Sequence, residues 1–400
     1  MTRNLFTAPP ELEGRIVTPE DPRYLLLYST CTTADEPAAV LLPESTAEVS
    51  AALRFVRERG LPLTVRGGGH DVPGRAVSGG AVIDLSAMNR VEVLDRRSRL
   101  VRVEAGARWP AVAQALAPYG LAIGSRDHDG AGAGGLAAAG GIGRLVRQYG
   151  LMIDHVRAAE VVLADGTAVH ADAEHEPDLL WAVRGAGSGV GIVVAYEIEA
   201  MELSDVGYAQ IAVEIKRNGH ALQQWADYME SATRELTSTV TLQSHGSALI
   251  ASVTAVVADA GTDHLRTAVE PLLRLGTRLL DLHVQLTPYP ALLSAASPSA
   301  AFPSAASPSS VSPSSVSASF VSASSGQWPG TTANGLIEAM TDGDADLAAA
   351  WYPLSGRLDA ACAGFESRSA AFARIYPGKT GDRVTRLWAR YDPDGIFRTP

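Results

Sequence analysis

The segment Val65-Arg66-Gly67-Gly68-Gly69-His70 constrains this chain more than any other feature of its sequence. It follows a short apolar run, residues 61–65, that predicts a strand, and it leads into a further glycine-rich stretch. Glycine has no Cβ, so three consecutive glycines allow the backbone to lie flat against a bulky ligand. The histidine that closes the segment would place a nucleophilic side chain beside that ligand. The sequence therefore predicts a loop that holds a large, flat molecule.

The length, charge and cysteine content exclude several classes of protein. Four hundred residues allow one large domain or two to three ordinary ones. A net charge of −11 argues against a nucleic-acid partner, which would need clustered lysine and arginine. The longest stretch without Asp, Glu, Lys or Arg, residues 282–337, is too polar to span a bilayer, and the N-terminus lacks the apolar core of a signal peptide. We therefore expect a cytoplasmic protein without a membrane partner, and the two cysteines, Cys31 and Cys362, predict neither a disulfide framework nor a cysteine-ligated metal site.

The first 200 residues alternate between strand and helix patterns. Ser45 to Glu48 has capping-box spacing and predicts a helix of about 14 residues that ends at Gly60. Further helices are predicted at 109–116 and 179–184. Strand patterns occur at residues 81–85, 91–94, 100–104, 159–163, 168–170 and 192–200. Because hairpins and single helices mix without regular βαβ repetition, the predicted fold class is α+β.

The second half of the chain has a different sequence pattern. Residues 209–215 and 239–254 predict antiparallel strands, and residues 222–230, 264–278 and 383–390 predict helices. The Ser/Pro-rich segment 294–326 has the composition of a flexible linker, although residues 316–321 alternate as a strand would. We place a domain boundary near Ser204, which gives a first domain over 1–203, a second over 204–375, and a C-terminal segment, 376–400, that returns to the first.

A second glycine-rich region lies between residues 130 and 143. Gly130-Ala131-Gly132-Ala133-Gly134-Gly135 has the G-x-G-x-x-G spacing of a dinucleotide fold, with Asp154 about 20 residues further on. The context differs from that fold, because polar residues precede the cluster and a further one, Gly140-Gly141-Ile142-Gly143, follows it. A loop of this kind exposes many backbone N–H groups, which can hold a pyrophosphate. Glycines that serve only flexible turns are the alternative interpretation.

Taken in order, these motifs resemble those of the FAD-linked oxidases of the vanillyl-alcohol oxidase and p-cresol methylhydroxylase superfamily. The motifs are those at residues 66–70, 83–89, 132–136, 140–143 and 149–154. Two more, at 178–187 and 391–398, resemble its berberine bridge enzyme-like branch. The resemblance covers residues 35–203 and the last 25, and it is weak between them.

The resemblance implies a two-subdomain FAD-binding domain of the PCMH type over residues 1–203. It also implies a substrate domain with an antiparallel β-sheet flanked by helices, and a covalent bond from His70 to the flavin 8α-methyl carbon. A neutral imidazole can attack the electrophilic flavin, and the bond raises the redox potential of the flavin. Many members have a second link through a cysteine, whose position here is His128, as in 6-hydroxynicotine oxidase-like members. A single covalent link is therefore expected, and His128 would line the flavin or the substrate cavity, or be a plain loop histidine.

The resemblance also assigns a set of cofactor-binding residues. Two backbone stretches, 66–71 and 132–136, would cradle the pyrophosphate and isoalloxazine, and residues 191–193 would meet the adenine. The full set is Arg66, Gly67, Gly68, Gly69, His70, Asp71, His128, Gly132, Gly134, Gly135, Leu136, Gly141, Gly143, Asp154, Gly191, Ile192 and Val193. Asp154 would also suit a turn or cap, and Arg66 could balance the pyrophosphate charge or form a surface ion pair. No metal is expected.

The catalytic residues are less well defined. Members usually carry a Tyr-x-Asn element in the substrate domain, and a block on the order of 50 residues that would contain it is missing before residue 376. The candidates for a base are Tyr289, Tyr352 and His245, with Tyr376 and His128 as further possibilities. Each has a structural alternative, since Tyr289 and Tyr352 precede prolines, where an aromatic ring often packs a turn.

The sequence thus predicts an FAD-dependent oxidoreductase, in particular an oxidase. It would transfer hydride from a small alcohol, amine or phenolic substrate of secondary-metabolite type to flavin N5, and O2 would reoxidise the flavin to give H2O2. The expected partners are a small-molecule substrate and O2, in a monomer or homodimer. The alternative is a flavin-containing cyclase or non-redox tailoring protein of natural-product biosynthesis on the same fold, and a homologue that no longer binds FAD is a third option.

Overall fold

A computed structural model of the chain contains three main β-sheets with helices packed on them. It describes residues 8–27, 36–67, 79–124, 132–140, 142–203, 205–245, 248–258, 261–294, 314–320, 323–324, 332–333, 336–341 and 372–397. Most strand pairs are antiparallel, and single helices separate them. The predicted α+β class is confirmed. No helix in the described ranges is long and apolar enough to cross a membrane.

The first sheet has four strands in the order β1-β2-β4-β3. They are β1 (Ile16–Val17), β2 (Ala39–Leu41), β3 (Leu63–Arg66) and β4 (Ala81–Asp84). Strands β2 and β3 both run parallel to β4. The short helix α1 (Tyr24–Leu27) precedes β2, and α2 (Thr46–Glu58) connects β2 to β3. The crossover through α2 brings the chain into the triple-glycine segment.

The capping interactions of α2 explain where this helix begins. The Ser45 side chain accepts a hydrogen bond from the Glu48 N–H at 3.3 Å, and the Glu48 carboxylate accepts one from the Glu44 N–H at 2.9 Å. Both bonds satisfy N–H groups that have no partner within the helix. The apolar face of the helix, which includes Val49 and Leu53, is fully buried. The predicted helix is confirmed.

The second sheet has five antiparallel strands in the order β5-β6-β10-β8-β9. They are β5 (Val91–Asp95), β6 (Leu100–Glu104), β8 (Val156–Val162), β9 (Ala168–Ala171) and β10 (Ile192–Glu199). The helices α3 (Trp109–Leu116) and α6 (Pro177–Val183) share a buried core with this sheet. The remaining short elements are β7 (Leu121–Ala122), paired with β11 (Met201–Glu202), α4 (Ala133–Ala139) and α5 (Val146–Tyr149).

The third sheet has six antiparallel strands in the order β15-β12-β14-β13-β16-β19. They are β12 (Asp205–Ile215), β13 (Leu236–His245), β14 (Ala248–Val257), β15 (Arg278–Pro288), β16 (Ser314–Phe320) and β19 (Leu336–Thr341). The helices α7 (His220–Ser231) and α8 (Thr262–Val269) pack on one face of this sheet. Three short elements remain: α9 (Tyr289–Ser294) and the paired strands β17 (Ala323–Ser324) and β18 (Thr332–Ala333).

Two sequence-based predictions differ from the structure in this region. The helix predicted over 264–278 ends at Val269, and residues from Arg278 onward form β15. Pro271 interrupts the helix because it has no backbone N–H, and the apolar residues after position 280 recur every second residue, as in a strand. Within the Ser/Pro-rich segment, β16 confirms that part of it is ordered, whereas residues 295–313 and Val321 lie outside the described residues.

The C-terminal elements pack against α6 and the segment that follows it. They are α10 (Phe372–Ile375) and α11 (Lys379–Tyr391), and Leu387 and Tyr391 of α11 belong to the same core as α6. The proposed domain boundaries stay predictions, and Ser204 itself lies outside the described residues.

Candidate functional site

Three backbone segments meet at the end of β3. The Gly134 N–H donates to the Ala105 carbonyl at 2.9 Å, and the Ala133 N–H donates to the Ala107 carbonyl at 2.8 Å. A Cβ on Gly67 would lie 2.9 Å from the Ala105 oxygen, and one on Gly134 would lie 2.8 Å from the Ala105 Cβ. Side chains at these two positions would push the segments apart. The glycines therefore permit a close approach between segments that are distant in sequence.

Gly135 faces a different environment from its neighbour. A Cβ at this position would have nothing within 4 Å, although the Gly135 nitrogen is 3.9 Å from the Cβ position of Gly67. Gly135 is the third residue of α4, whose N-cap, Gly132, supplies no side-chain hydrogen bond. Its N–H therefore has no acceptor within the helix. The three-segment junction thus borders open space, and a backbone N–H lies at that border.

Arg66 takes part in a buried ion pair. Its Nε and Nη2 atoms donate to Asp84 Oδ2 at 2.8 and 2.5 Å, and both side chains are largely buried. Nη2 also donates to the Leu27 carbonyl at 2.9 Å, and Asp84 Oδ1 accepts the Ser86 N–H at 2.8 Å. The pair joins the ends of β3 and β4, directly before the triple glycine. Of the alternatives for Arg66, the structure shows an ion pair, but a buried one.

The segment 185–191 is enclosed between α4 and the C-terminal helix. The Trp388 Nε1–H donates to the Ala186 carbonyl at 3.0 Å, and the Tyr376 hydroxyl donates to the Gly185 carbonyl at 2.7 Å. A Cβ on Gly189 would lie 2.5 Å from the Trp388 ring. Gly191 has φ +158°, and a Cβ there would lie 2.7 Å from Val161. The predicted adenine-binding residues Ile192 and Val193, buried in β10, follow this tightly packed segment.

Asp154 lies in a single turn of 3-10 helix, Met152–His155. Its N–H donates to the Leu151 carbonyl at 3.0 Å, and the neighbouring His155 Nε2 lies 2.7 Å from the Tyr149 carbonyl. A turn role for Asp154 therefore agrees with the structure, and its cofactor role stays a prediction.

The glycine cluster at residues 140–143 is followed by two buried arginines that contact the six-stranded sheet. Gly143 precedes Arg144, whose guanidinium lies 5.9 Å from the centre of the Tyr208 ring. Arg147, only 3% exposed, donates to four carbonyls at the end of α7 and the start of β13. These carbonyls belong to Met229 (2.8 Å), Ala232 (3.2 Å), Thr233 (3.2 Å) and Leu236 (2.6 Å).

The environment of Arg147 is unusual for a cation. Burial lowers the pKa of its guanidinium, and the charge of Arg234 lowers it further. An arginine nevertheless stays protonated, since its ordinary pKa is far above neutral. The positive charge lies at the carbonyl end of α7, where the helix dipole favours a cation. Arg147 therefore connects the glycine-rich region to the sheet.

The face of the six-stranded sheet opposite α7 and α8 carries polar side chains. Alternation along the strands places Ala209, Ile211 and Val253 in the helix-covered core, so their sequence neighbours point to the other face. The pairing register aligns these neighbours in two rows, Gln210–Thr254–Thr239 and Ala212–Ser252–Thr241. At one end of this face, Tyr208 and Val256 belong to the same buried cluster as Leu145. One end of the polar face thus lies beside the glycine cluster at residues 140–143.

The catalytic candidates lie in separate places. Tyr289 is buried at the start of α9, and its hydroxyl donates to the Ile123 carbonyl at 3.4 Å. The backbone of His245 ends β13, opposite Ala248. Tyr376 donates to the Gly185 carbonyl, as given above. Several predicted site residues lie outside the described residues: Gly68, Gly69, His70, Asp71, His128, Gly141 and Tyr352. The backbone of Leu136 lies in α4.

Sequence reasoning missed three parts of this region. Ala105 forms the centre of the three-segment junction, yet alanine after a strand carries no specific signal. Asp84 is partnered by Arg66, and only the parallel register of β3 and β4 brings them together. Arg147 lies among several arginines in the sequence, and nothing local distinguishes it as buried.

Comparison with known proteins matches the first part of the chain to one family. Residues 37–172 match a model described as an FAD binding domain. A curated relative, (R)-6-hydroxynicotine oxidase of Paenarthrobacter nicotinovorans, is 32% identical over 206 residues, which are 51% of this chain and 44% of the relative. The chain thus matches less than half the length of that relative.

Solved structures resemble the chain over nearly its whole length. One is 6-hydroxy-D-nicotine oxidase from Arthrobacter nicotinovorans, with a TM-score of 0.82, 21% identity and 98% coverage of both chains. Another is BBE-like 1 of Physcomitrella patens, with a TM-score of 0.80, 16% identity and 96% coverage of both. At these identities the similarity shows a shared fold.

Proposed function

We propose that the whole chain is an FAD-dependent oxidoreductase that oxidises a small organic substrate. Residues 37–172, which match the model of an FAD binding domain, support this proposal. The observation that carries this proposal is the close junction of Gly67, Ala105 and Gly134 beside the open space at Gly135. FAD combines a flat ring system, which needs close backbone approach, with a pyrophosphate, which accepts backbone N–H groups. The residues present therefore fit this cofactor.

The residues that would hold FAD are the cofactor-binding set that the family resemblance implies. His70 would form the single covalent link to the flavin. Because Asp84 already neutralises Arg66, backbone N–H groups of the two glycine-rich segments would bind the pyrophosphate. When bound, FAD supplies a hydride acceptor for the substrate and a carrier that O2 reoxidises with release of H2O2.

The polar face of the six-stranded sheet would bind the substrate. Its hydroxyl and amide groups, on Gln210, Thr239, Thr241 and Thr254, are half-buried and can orient a substrate by hydrogen bonds. The hydroxyl of Tyr289 already donates to a backbone carbonyl, which makes it a poor proton acceptor in this arrangement. An amine or phenol is the substrate class that suits such a site, because its own lone pair drives hydride loss without a strong base.

The covalent link provides a direct test of the cofactor. Protein purified after riboflavin supplementation and denatured in acid should retain flavin fluorescence on the polypeptide. His70→Ala should release all of it, whereas His175→Ala, at an exposed histidine on the surface, should not change it. Free flavin in the supernatant of the unmutated protein would rule out the link, and absence of any flavin would rule out the proposed function.

The redox role needs a separate measurement. Under anaerobic conditions an amine or phenol from a panel that includes 6-hydroxynicotine should bleach the visible flavin absorbance, and air should restore it with one H2O2 per flavin. Substrate turnover with unchanged absorbance would exclude the oxidase activity.

A further inference from the structure

The strand β15 carries a row of exposed apolar side chains along its length. β12 pairs with the inner side of β15 along its length, and among the described strands none pairs with the outer side. The exposed apolar side chains of β15 are each 40 to 48% exposed: Leu279, Leu280, Leu282, Val284 and Leu286. A long apolar strand with free N–H and C=O groups is a template for pairing with another strand.

The pairing with β12 shows on which face of the six-stranded sheet these apolar side chains lie. Leu282 lies opposite Ile211, and Val284 lies opposite Ala209. Ile211 and Ala209 are fully buried in the core formed with α7 and α8. Since residues directly opposite in an antiparallel pair share a face, Leu282 and Val284 continue this apolar core beyond the edge that the helices cover. The core is thus incomplete at β15.

We propose that β15 pairs antiparallel with β15 of a second copy of this chain, about a two-fold axis at Val284. Along β15, every second residue directs its N–H and C=O groups towards β12, and the residues between them direct these groups towards the unpaired edge. Two copies of β15 can therefore form a ladder only in a register in which residues of this second kind lie opposite each other. A bulge at Leu280 interrupts the strand, because Ala212 pairs with Asp281 and Val213 with Leu279. The regular part, residues 281–287, is centred on Val284.

This register is self-complementary in its side chains. On the helix-covered face Val284 lies opposite the partner's Val284, and Leu282 lies opposite the partner's Leu286. On the other face His283 lies opposite the partner's Gln285, and Asp281 opposite the partner's Thr287. No like charges oppose each other, and six exposed apolar side chains become covered. Two strands bury less area than a standard protein interface, so the dimer is reversible and depends on protein concentration.

Cysteine cross-linking tests the register. In a Cys31→Ser, Cys362→Ser background, Val284→Cys should form a disulfide-linked dimer on mild oxidation, because facing Cβ atoms are about 4.5–5.5 Å apart. Leu282→Cys alone should not cross-link, whereas Leu282→Cys mixed with Leu286→Cys should. Leu94→Cys is the matched control, since Leu94 is 42% exposed on the edge strand β5. Cross-linking of Val284→Cys no faster than that of Leu94→Cys would overturn the proposal.

Sedimentation equilibrium tests the dimer itself. The average mass of the full chain should rise above the monomer value of 41.8 kDa as its concentration increases. Val284→Lys, which sets two ammonium groups opposite each other, should return it to the monomer value, while Leu94→Lys should leave it unchanged. Circular dichroism would verify that both variants fold. A mass of 41.8 kDa for the unmutated protein at every concentration would overturn the proposal, whatever its flavin content.

Discussion

Gly134 and Gly135 are neighbours in the sequence, yet the structure gives them different roles. A Cβ on Gly134 would collide with Ala105, whereas one on Gly135 would enter open space. The first glycine therefore serves the packing of α4 against the strand end of β6. The second keeps free the space that the proposed cofactor would fill. A motif match alone would treat both as equivalent parts of a glycine-rich loop.

Alanine substitutions should separate the two roles. Gly134→Ala should destabilise the protein by about 1–3 kcal/mol, as expected for overpacking. Gly135→Ala should leave the flavin-free protein as stable or more stable, by up to about 1 kcal/mol, because alanine favours a helix. It should nevertheless lower the flavin content, since its methyl group occupies the cofactor space. Urea unfolding and the flavin-to-protein ratio measure both effects, and normal flavin content in Gly135→Ala would contradict this assignment.

At the scale of elements, α5 joins the glycine-rich region to the six-stranded sheet through one side chain. Arg147 donates to carbonyls from both α7 and the start of β13, so it fixes how these two elements lie on the first half of the chain. A lysine could keep the charge at the end of α7 but could not reach the same carbonyls with a planar fork.

Replacement of this arginine should therefore be costly. Arg147→Met removes a charged donor from four carbonyls, and we expect a loss of at least about 3 kcal/mol in the free energy of unfolding. Arg147→Lys should lie between this variant and the unmutated protein. Arg274→Met is the control, because Arg274 is exposed and its ion pair with Glu270 contributes about 0–1 kcal/mol. Equal urea midpoints for Arg147→Met and Arg274→Met would contradict this role.

Elements with local signals were predicted well from the sequence, and long-range contacts were not. Ser45 and Glu48 predict the start of α2 because capping depends on residues only three positions apart. The end of α8 was misplaced, since Pro271 and the alternation after residue 280 were read as part of one helix. The contacts of Arg147, Asp84 and Ala105 depend on tertiary register, which a single sequence does not encode in any local pattern. The catalytic base could not be assigned for the same reason.

At the scale of the whole molecule, the match of residues 37–172 to an FAD binding domain confirms the resemblance inferred from the motifs for that part of the chain, and the solved structures show that the fold is shared over nearly its whole length. Along the chain, the four-stranded and five-stranded sheets come first and the six-stranded sheet follows. The last helix, α11, then lies beside the loop after α6. This arrangement places Tyr376 and Trp388 against the Gly185 and Ala186 carbonyls, about 200 residues earlier in the sequence. The last helix therefore supports the segment that precedes the predicted adenine-binding residues.

This long-range support should be visible in hydrogen exchange. Trp388→Phe and Tyr376→Phe each remove one donor and keep most of the ring, so the carbonyl of Ala186 or Gly185 loses a buried partner at a cost of about 1–3 kcal/mol. We expect faster amide hydrogen exchange in residues 185–191, because α11 normally opposes the local unfolding of this segment. We also expect a lower flavin content. Amide exchange in β13, which belongs to the six-stranded sheet, should not change. Equal acceleration in both segments would mean that the variants destabilise the fold as a whole, and α11 would then have no specific role in holding this segment.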